Sequence, residues 1–200
     1  HPDRGRALVA RAGPRGAGKS TFAEALVGAL GTAGRPAALV PMDGFHLDNR
    51  LLEARGLMAR KGAPGTFDAD GLAALLPRLA GEDEVIFPLF DRPRDIAIAG
   101  AGRVGPEHRV AVVEGNYLLL DSPPWRGMAA QWTLSVRLDV PEAVLEDRLL
   151  DRWRAHGLDA ADARARAEGN DLPNARTVAD RSAPADLTLR WADGDWSMPG

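Results

Sequence analysis

The chain has 200 residues, a formal net charge of −3 at pH 7 and a sequence pI near 5.8, which argues against a general nucleic-acid or membrane surface. It contains no Cys, which excludes a disulfide framework and a thiolate metal site, and no apolar run long enough to span a bilayer. One α/β domain over residues 1–200 is expected, in the cytoplasm because no secretory signal pattern is legible.

In chain order, Ala7-Leu8-Val9-Ala10 is a short apolar run that reads as a buried strand. It leads into Gly13-Pro14-Arg15-Gly16-Ala17-Gly18-Lys19-Ser20-Thr21, which has the phosphate-loop spacing G-x-x-x-x-G-K-[ST]. Residues 21–30 carry apolar side chains at helical spacing up to Gly31, a natural helix stop. Strand, glycine loop and helix together give the motif its mechanism. The glycines let successive backbone N–H groups turn toward phosphate oxygens, and the helix N-terminus adds partial positive charge. Lys19 is expected to reach the β- and γ-phosphates of a nucleotide, and the Ser20 hydroxyl to sit on Mg²⁺. A dinucleotide fingerprint would need glycine where Thr21 stands, so that reading fails.

Further along, residues 36–40 read as a second strand stopped by Pro41, and residues 51–58 as a short helix broken near Gly56. Residues 61–68 form a loop by their Gly and Pro content, and Asp70 is expected to cap a helix through Leu72, Leu75, Leu76 and Leu79. Residues 84–91 are strand-like, with Pro88 marking an edge, and residues 96–104 suggest a small hairpin away from the main sheet. Val110-Ala111-Val112-Val113 has the continuous apolar character of a central parallel strand. Residues 133–140 give another strand, Pro141 opens a helix through Val144, Leu145, Leu149 and Trp153, and residues 160–167 continue helical. A last strand covers residues 186–191, and the tail at 193–200 has no readable structure. Strands alternating with helices predict a three-layer α/β fold, a central parallel sheet covered on both faces.

Ligands of such sheets bind beyond the carboxyl ends of the strands, which singles out Asp43 and Glu114. Phosphoryl transfer to an alcohol needs a carboxylate for the hydroxyl proton and oxygen ligands for Mg²⁺. Asp43 suits the base, and Glu114 the metal side through water. Val113 precedes Glu114, so the paired acids of motor ATPases are absent, and no Asn-Lys-x-Asp guanine motif occurs. Arg148 and Arg152 share one helix face at i, i+4, a spacing that lets them close over a transferring phosphate as well as serve as a solvated charged face. Of 25 basic residues only Lys19 and Lys61 are lysines, which draws attention to Lys61.

Met42-Asp43-Gly44-Phe45-His46, Arg55-Gly56-Leu57-Met58 and Arg60-Lys61-Gly62-Ala63-Pro64 running to Phe67-Asp68 closely resemble bacterial type I pantothenate kinases. More widely the chain resembles the phosphoribulokinase/uridine kinase superfamily from Ala7 to about Arg154, and most of all its smaller fructose-transport-system kinase-like members. The resemblance implies that Asp43 lies beside the acceptor and that His46, Lys61, Phe90, Arg92 and Tyr117 bind it. It further implies that residues 148–170 form a lid and that Asn174 lies near the adenine. Leu89-Phe90-Asp91-Arg92 stands where pantothenate kinases carry Tyr-Ser-His, a departure at the acceptor site.

The expectation is therefore an ATP- and Mg²⁺-dependent kinase for a hydroxyl of a small metabolite, a sugar or nucleoside first and pantothenate as the alternative. A catalytically silent nucleotide-binding regulator and a partner-coupled ATPase are the readings of another class. A homodimer is carried by the family resemblance alone.

Overall fold

The structure, a computed structural model, describes residues 5–198, apart from the side chains of Lys19 and Ser20. β1 (Ala7–Ala12) is buried along almost its whole length because it runs between two parallel neighbours, β5 (Val110–Gly115) and β6 (Leu134–Asp139). The described residues form a six-stranded sheet in the order β2-β5-β1-β6-β7-β8, with β2 at Ala37–Pro41, β7 at Leu187–Ala192 and β8 at Asp195–Ser197. Strands from β2 to β7 pair in parallel, and β8 turns back antiparallel on β7.

Alternation along β1 divides the core. Leu8, Ala10 and Ala12 face one cluster with Leu72, Leu75, Leu76 and Leu79 of α3 (Ala69–Gly81). Val9 faces the other, with Val112, Val136, Ala23, Leu26 and Leu30 under α1 (Lys19–Thr32). Helices thus cover both faces, and the carboxyl edge collects the glycine loop, Asp43, Glu114 and the start of α4 (Glu142–Ala155).

Several boundaries differ from the sequence reading for local reasons. The cap of α3 is Asp68, whose carboxylate accepts the Gly71 N–H at 2.9 Å, while Asp70 lies in the first turn. The helix is set two residues earlier because Asp68 N–H donates to the Phe45 carbonyl at 2.7 Å and His46 bridges Phe67. Residues 96–104 are one strand, β4 (Ile96–Val104), pairing antiparallel with β3 (Val85–Asp91) as a separate two-stranded sheet. The turn lies earlier, where Asp91 accepts the Arg94 N–H at 3.0 Å and Asp95 takes φ 56°. Gly102 within β4 makes room for the Phe87 ring, which a Cβ there would overlap.

α2 (Asn49–Ala54) is shorter than its sequence signal. α5 (Ala160–Arg166) runs through a π turn, Ala167–Asp171, into α6 (Leu172–Arg181), a helix without a clean apolar signal. The segment after Asp193, patternless in sequence, adds β8, and Trp196 packs on Trp191 at 5.1 Å and on Phe22 at 6.4 Å.

Candidate functional site

The glycine loop leaves β1 and closes onto α1 through two left-handed glycines, Gly16 at φ 84° and Gly18 at φ 76°. Gly13 sits against Leu138, and Ala17 is fully buried with its N–H donating to the Pro14 carbonyl at 3.2 Å. Lys19 and Ser20 open α1, but the roles expected of their side chains lie outside the described residues. Arg15 reaches sideways to Asp171 at 3.0 Å, and Thr21 lies on the cleft wall.

Beyond the strand ends the loop faces a cleft of about 330 Å³. Asp43 enters it from a 3₁₀ turn, Met42–Phe45, directly after β2. Gly44 in that turn lies so close under β3 that a Cβ would overlap the Pro88 carbonyl, which brings the β3–β4 turn over Asp43. Arg92 Nη2 meets Asp43 Oδ2 at 2.5 Å as a result. Glu114 ends β5, lines the same cleft and is only 7% exposed.

His46 packs between Phe67 and Phe90, with ring centroids 4.1 and 4.5 Å away. Its Nδ1–H donates to the Asp43 carbonyl at 2.7 Å. Burial is the main influence on the ring and holds it below the ordinary 6.5, against the pull of Asp43, so it is neutral at pH 7. Phe90 itself borders an adjoining shallow groove that shares Asp43, Arg92 and Glu114.

Two expected acceptor residues sit differently. Lys61 turns to Asp95 at 2.7 Å and Asn49 at 2.6 Å, with Phe90 alongside, and is not on the cleft wall. Tyr117 is fully buried among Phe67 and Trp125, and its hydroxyl donates to the Gly62 carbonyl at 2.5 Å. Burial pushes that phenol up, and its contact with the cleft is an edge rather than a free hydroxyl.

The opposite wall comes from α4 and the π turn. Arg148 Nη1 donates to the Gly16 carbonyl at 3.2 Å while its guanidinium lies 4.4 Å from the Trp191 ring. Arg152, one turn on, also lines the cleft, and its guanidinium is held below its ordinary value by burial first and then by the charges of Arg15 and Arg92. Asn174 lines the cleft and accepts Arg60 Nη2 at 3.3 Å. The cleft therefore brings together the glycine loop, Asp43, Glu114, Arg92, Arg148, Arg152 and Asn174.

Sequence reasoning missed Asp171, which is 2% exposed and also accepts Trp153 Nε1 at 2.7 Å. It missed Arg11 too, a fully buried arginine whose cation lies 4.8 Å from the Phe22 ring. Desolvation pulls that guanidinium down to about 9, with Glu114 pulling the other way.

Among the described residues no three His, Asp or Glu side chains gather into a cage, and Mg²⁺ requires none, because it takes most of its shell from water and phosphate. A buried carboxylate at the strand end beside a phosphate loop fits that ion.

No protein-family model matches the chain. It is 58% identical to a structure from Silicibacter sp. TM1040 provisionally described as a fructose transport system kinase, with TM-score 0.91 over 96% of this chain and 91% of that one. A Schizosaccharomyces pombe protein provisionally named a uridine kinase is 31% identical over 196 residues, 92% of this chain and 83% of the relative. A pantothenate kinase of Streptomyces avermitilis is 32% identical over 74% of this chain, which spans 47% of that enzyme.

Proposed function

The chain belongs to the P-loop kinases of the uridine kinase and pantothenate kinase type, and from that premise we propose that it moves the γ-phosphate of ATP to a hydroxyl of a small metabolite in the cytoplasm. The observation that carries the reading is one cleft holding two strand-end carboxylates, Asp43 and Glu114, between a phosphate loop and the α4 arginines.

In this reading the loop amides from Gly13 to Thr21 and the Lys19 ammonium bind the donor phosphates, and the lid side at Asn174 borders the adenine. Asp43 takes the acceptor proton, the acceptor oxygen bonds to the γ-phosphorus, and the bond to the bridging oxygen breaks. ADP leaves with that electron pair. Arg148 and Arg152 neutralise charge on the transferring group as α4 and α5 exclude water. Bound Mg²⁺ supplies charge neutralisation on the phosphates, and Ser20 and Glu114 are the residues that would hold it. His46, neutral and wedged between aromatic rings, offers Nε2 to an acceptor hydroxyl.

ADP release from Mg·ATP across sugars, nucleosides and pantothenate, against a blank without acceptor, tests the reading. Acceptor-dependent release that Lys19→Ala abolishes supports it. A flat panel with tight ATP binding favours a nucleotide-binding regulator, and a high blank favours a partner-coupled ATPase.

A further inference from the structure

Arg92 occupies the carboxylate that the reaction requires as a base. Its Nη2 lies 2.5 Å from Asp43 Oδ2, and a guanidinium at that distance takes up the carboxylate oxygen that an acceptor hydroxyl would approach. The pair must therefore open before Asp43 can work. Nothing in the surroundings makes opening difficult, because the Arg92 side chain is 51% exposed and Asp43 24%.

The two walls of the cleft divide the cations by task. Arg148 touches the glycine loop through the Gly16 carbonyl, on the donor side. Arg92 comes from the β3–β4 turn on the other wall, and with Phe90 and Asp43 it also borders the adjoining groove away from the glycine loop. Between them stands Arg152, which makes no hydrogen bond or ion pair with any described residue and feels both Arg92 and Asp43. With Arg148 and Arg152 assigned to the transferring group, Arg92 freed from Asp43 would stand as an unpaired guanidinium on the acceptor wall. A neutral sugar or nucleoside does not answer that charge.

Resting on the kinase reading, we infer that the acceptor alcohol carries its own anionic group, a carboxylate or a phosphomonoester, which takes Arg92 away from Asp43. One ion pair is exchanged for another, so the charge of the wall is kept. The released Asp43 then accepts the hydroxyl proton as the hydroxyl oxygen bonds to the γ-phosphorus and ADP departs with the electrons of the broken bond. Acceptor charge and base activation are the same event. A hydroxy acid or a phosphorylated polyol is thereby selected over its neutral counterpart.

Matched acceptors test this with Mg·ATP as donor: glycerol, glycerate and glycerol 3-phosphate; fructose, gluconate and fructose 6-phosphate; pantothenol and pantothenate. The expected result is a kcat/KM about 10- to 150-fold higher for an anionic member than for its neutral partner, the range of one charge-assisted contact. The carboxylate and phosphate arms identify which anion is read. In Arg92→Gln that ratio should collapse toward one, whereas a merely structural role would lower all arms alike and keep the ratio. Neutral acceptors used as well as anionic ones, or a ratio that survives Arg92→Gln, overturns the inference and leaves the kinase standing. No transfer in any arm, with Mg·ATP bound tightly, overturns the kinase reading itself and the inference with it.

Discussion

Arg11 on β1 and Glu114 on β5 are register partners on adjacent parallel strands, and both lie on the sheet face covered by α1. A fully buried guanidinium beside a nearly buried carboxylate is a charge arrangement placed under the phosphate loop, with Arg11 Nη2 also 3.5 Å from the Gly18 carbonyl. Arg11 Nε and Nη1 have no hydrogen-bond partner among the described residues, so the ring of Phe22 and the field of Glu114 carry much of the compensation. Replacing it by Met keeps most of the volume but removes the Arg11 charge beside Glu114. The expected loss is about 1–3 kcal/mol, read by urea unfolding, and Glu114→Gln in the same chain should recover part of it. Strict additivity of the two changes would rule out coupling between them.

Asp43→Asn should bind ATP as the parent does and lose phosphoryl transfer by about 10²- to 10⁴-fold, the usual weight of a positioned base. Nucleotide affinity by calorimetry and turnover on the best acceptor check the two halves separately. Unchanged turnover removes Asp43 from the chemistry.

His46 gives a pH dependence whose sign follows from its burial. The unfolded chain protonates this ring near 6.5, while the folded site resists the proton to lower pH, mainly through burial. Below 6.5 the unfolded state thus binds more protons, and stability falls as pH falls through that window. The urea midpoint should drop between pH 7.5 and pH 5.5 by more in the parent than in His46→Gln. Equal drops would mean that His46 is not the group responsible.

Trp191 bears on Arg148 from behind, at 4.4 Å, while the Gly16 carbonyl holds the guanidinium from the front. Trp191→Ala should lower kcat by roughly 2- to 30-fold, corresponding to about 0.5–2 kcal/mol of cation–π contact. Trp191→Phe, which keeps a ring face, should restore most of it. If the alanine variant loses thermal stability while kcat per folded molecule holds, the ring supports the fold and not the arginine.

Legibility in the sequence followed how local each feature is. The glycine loop and its flanks are contiguous, and their chemistry is set by backbone geometry within a dozen residues. Asp43 and Glu114 were legible because a strand end is itself a position in the fold. Arg11 was not, since an arginine ends any apolar run, and β1 therefore reads as stopping at Ala10 when it continues buried to Ala12. Asp171 was hidden because only a π turn rotates it inward beside Asn170 and Asn174, and that turn has no composition of its own. β8 is a three-residue strand held by Trp196 on its hairpin partner Trp191 and on Phe22 of α1, the latter a contact that no window around residue 196 contains. Lys61 stood out by composition, yet Asp95 answers its charge across the hairpin turn.

The double grip on Asp171 has a kinetic side. One carboxylate oxygen holds Arg15 of the phosphate loop and the other holds Trp153 of α4. The phosphate loop and α4 are therefore tied at Asp171 as well as through the Arg148 bond to the Gly16 carbonyl. Arg15 of the loop and Trp153 of α4 are thus separated by the span of one side chain. In the proposed kinase, a change at Asp171 is expected to alter the rate of ADP release more than the affinity for either substrate, which stopped-flow release against equilibrium binding checks.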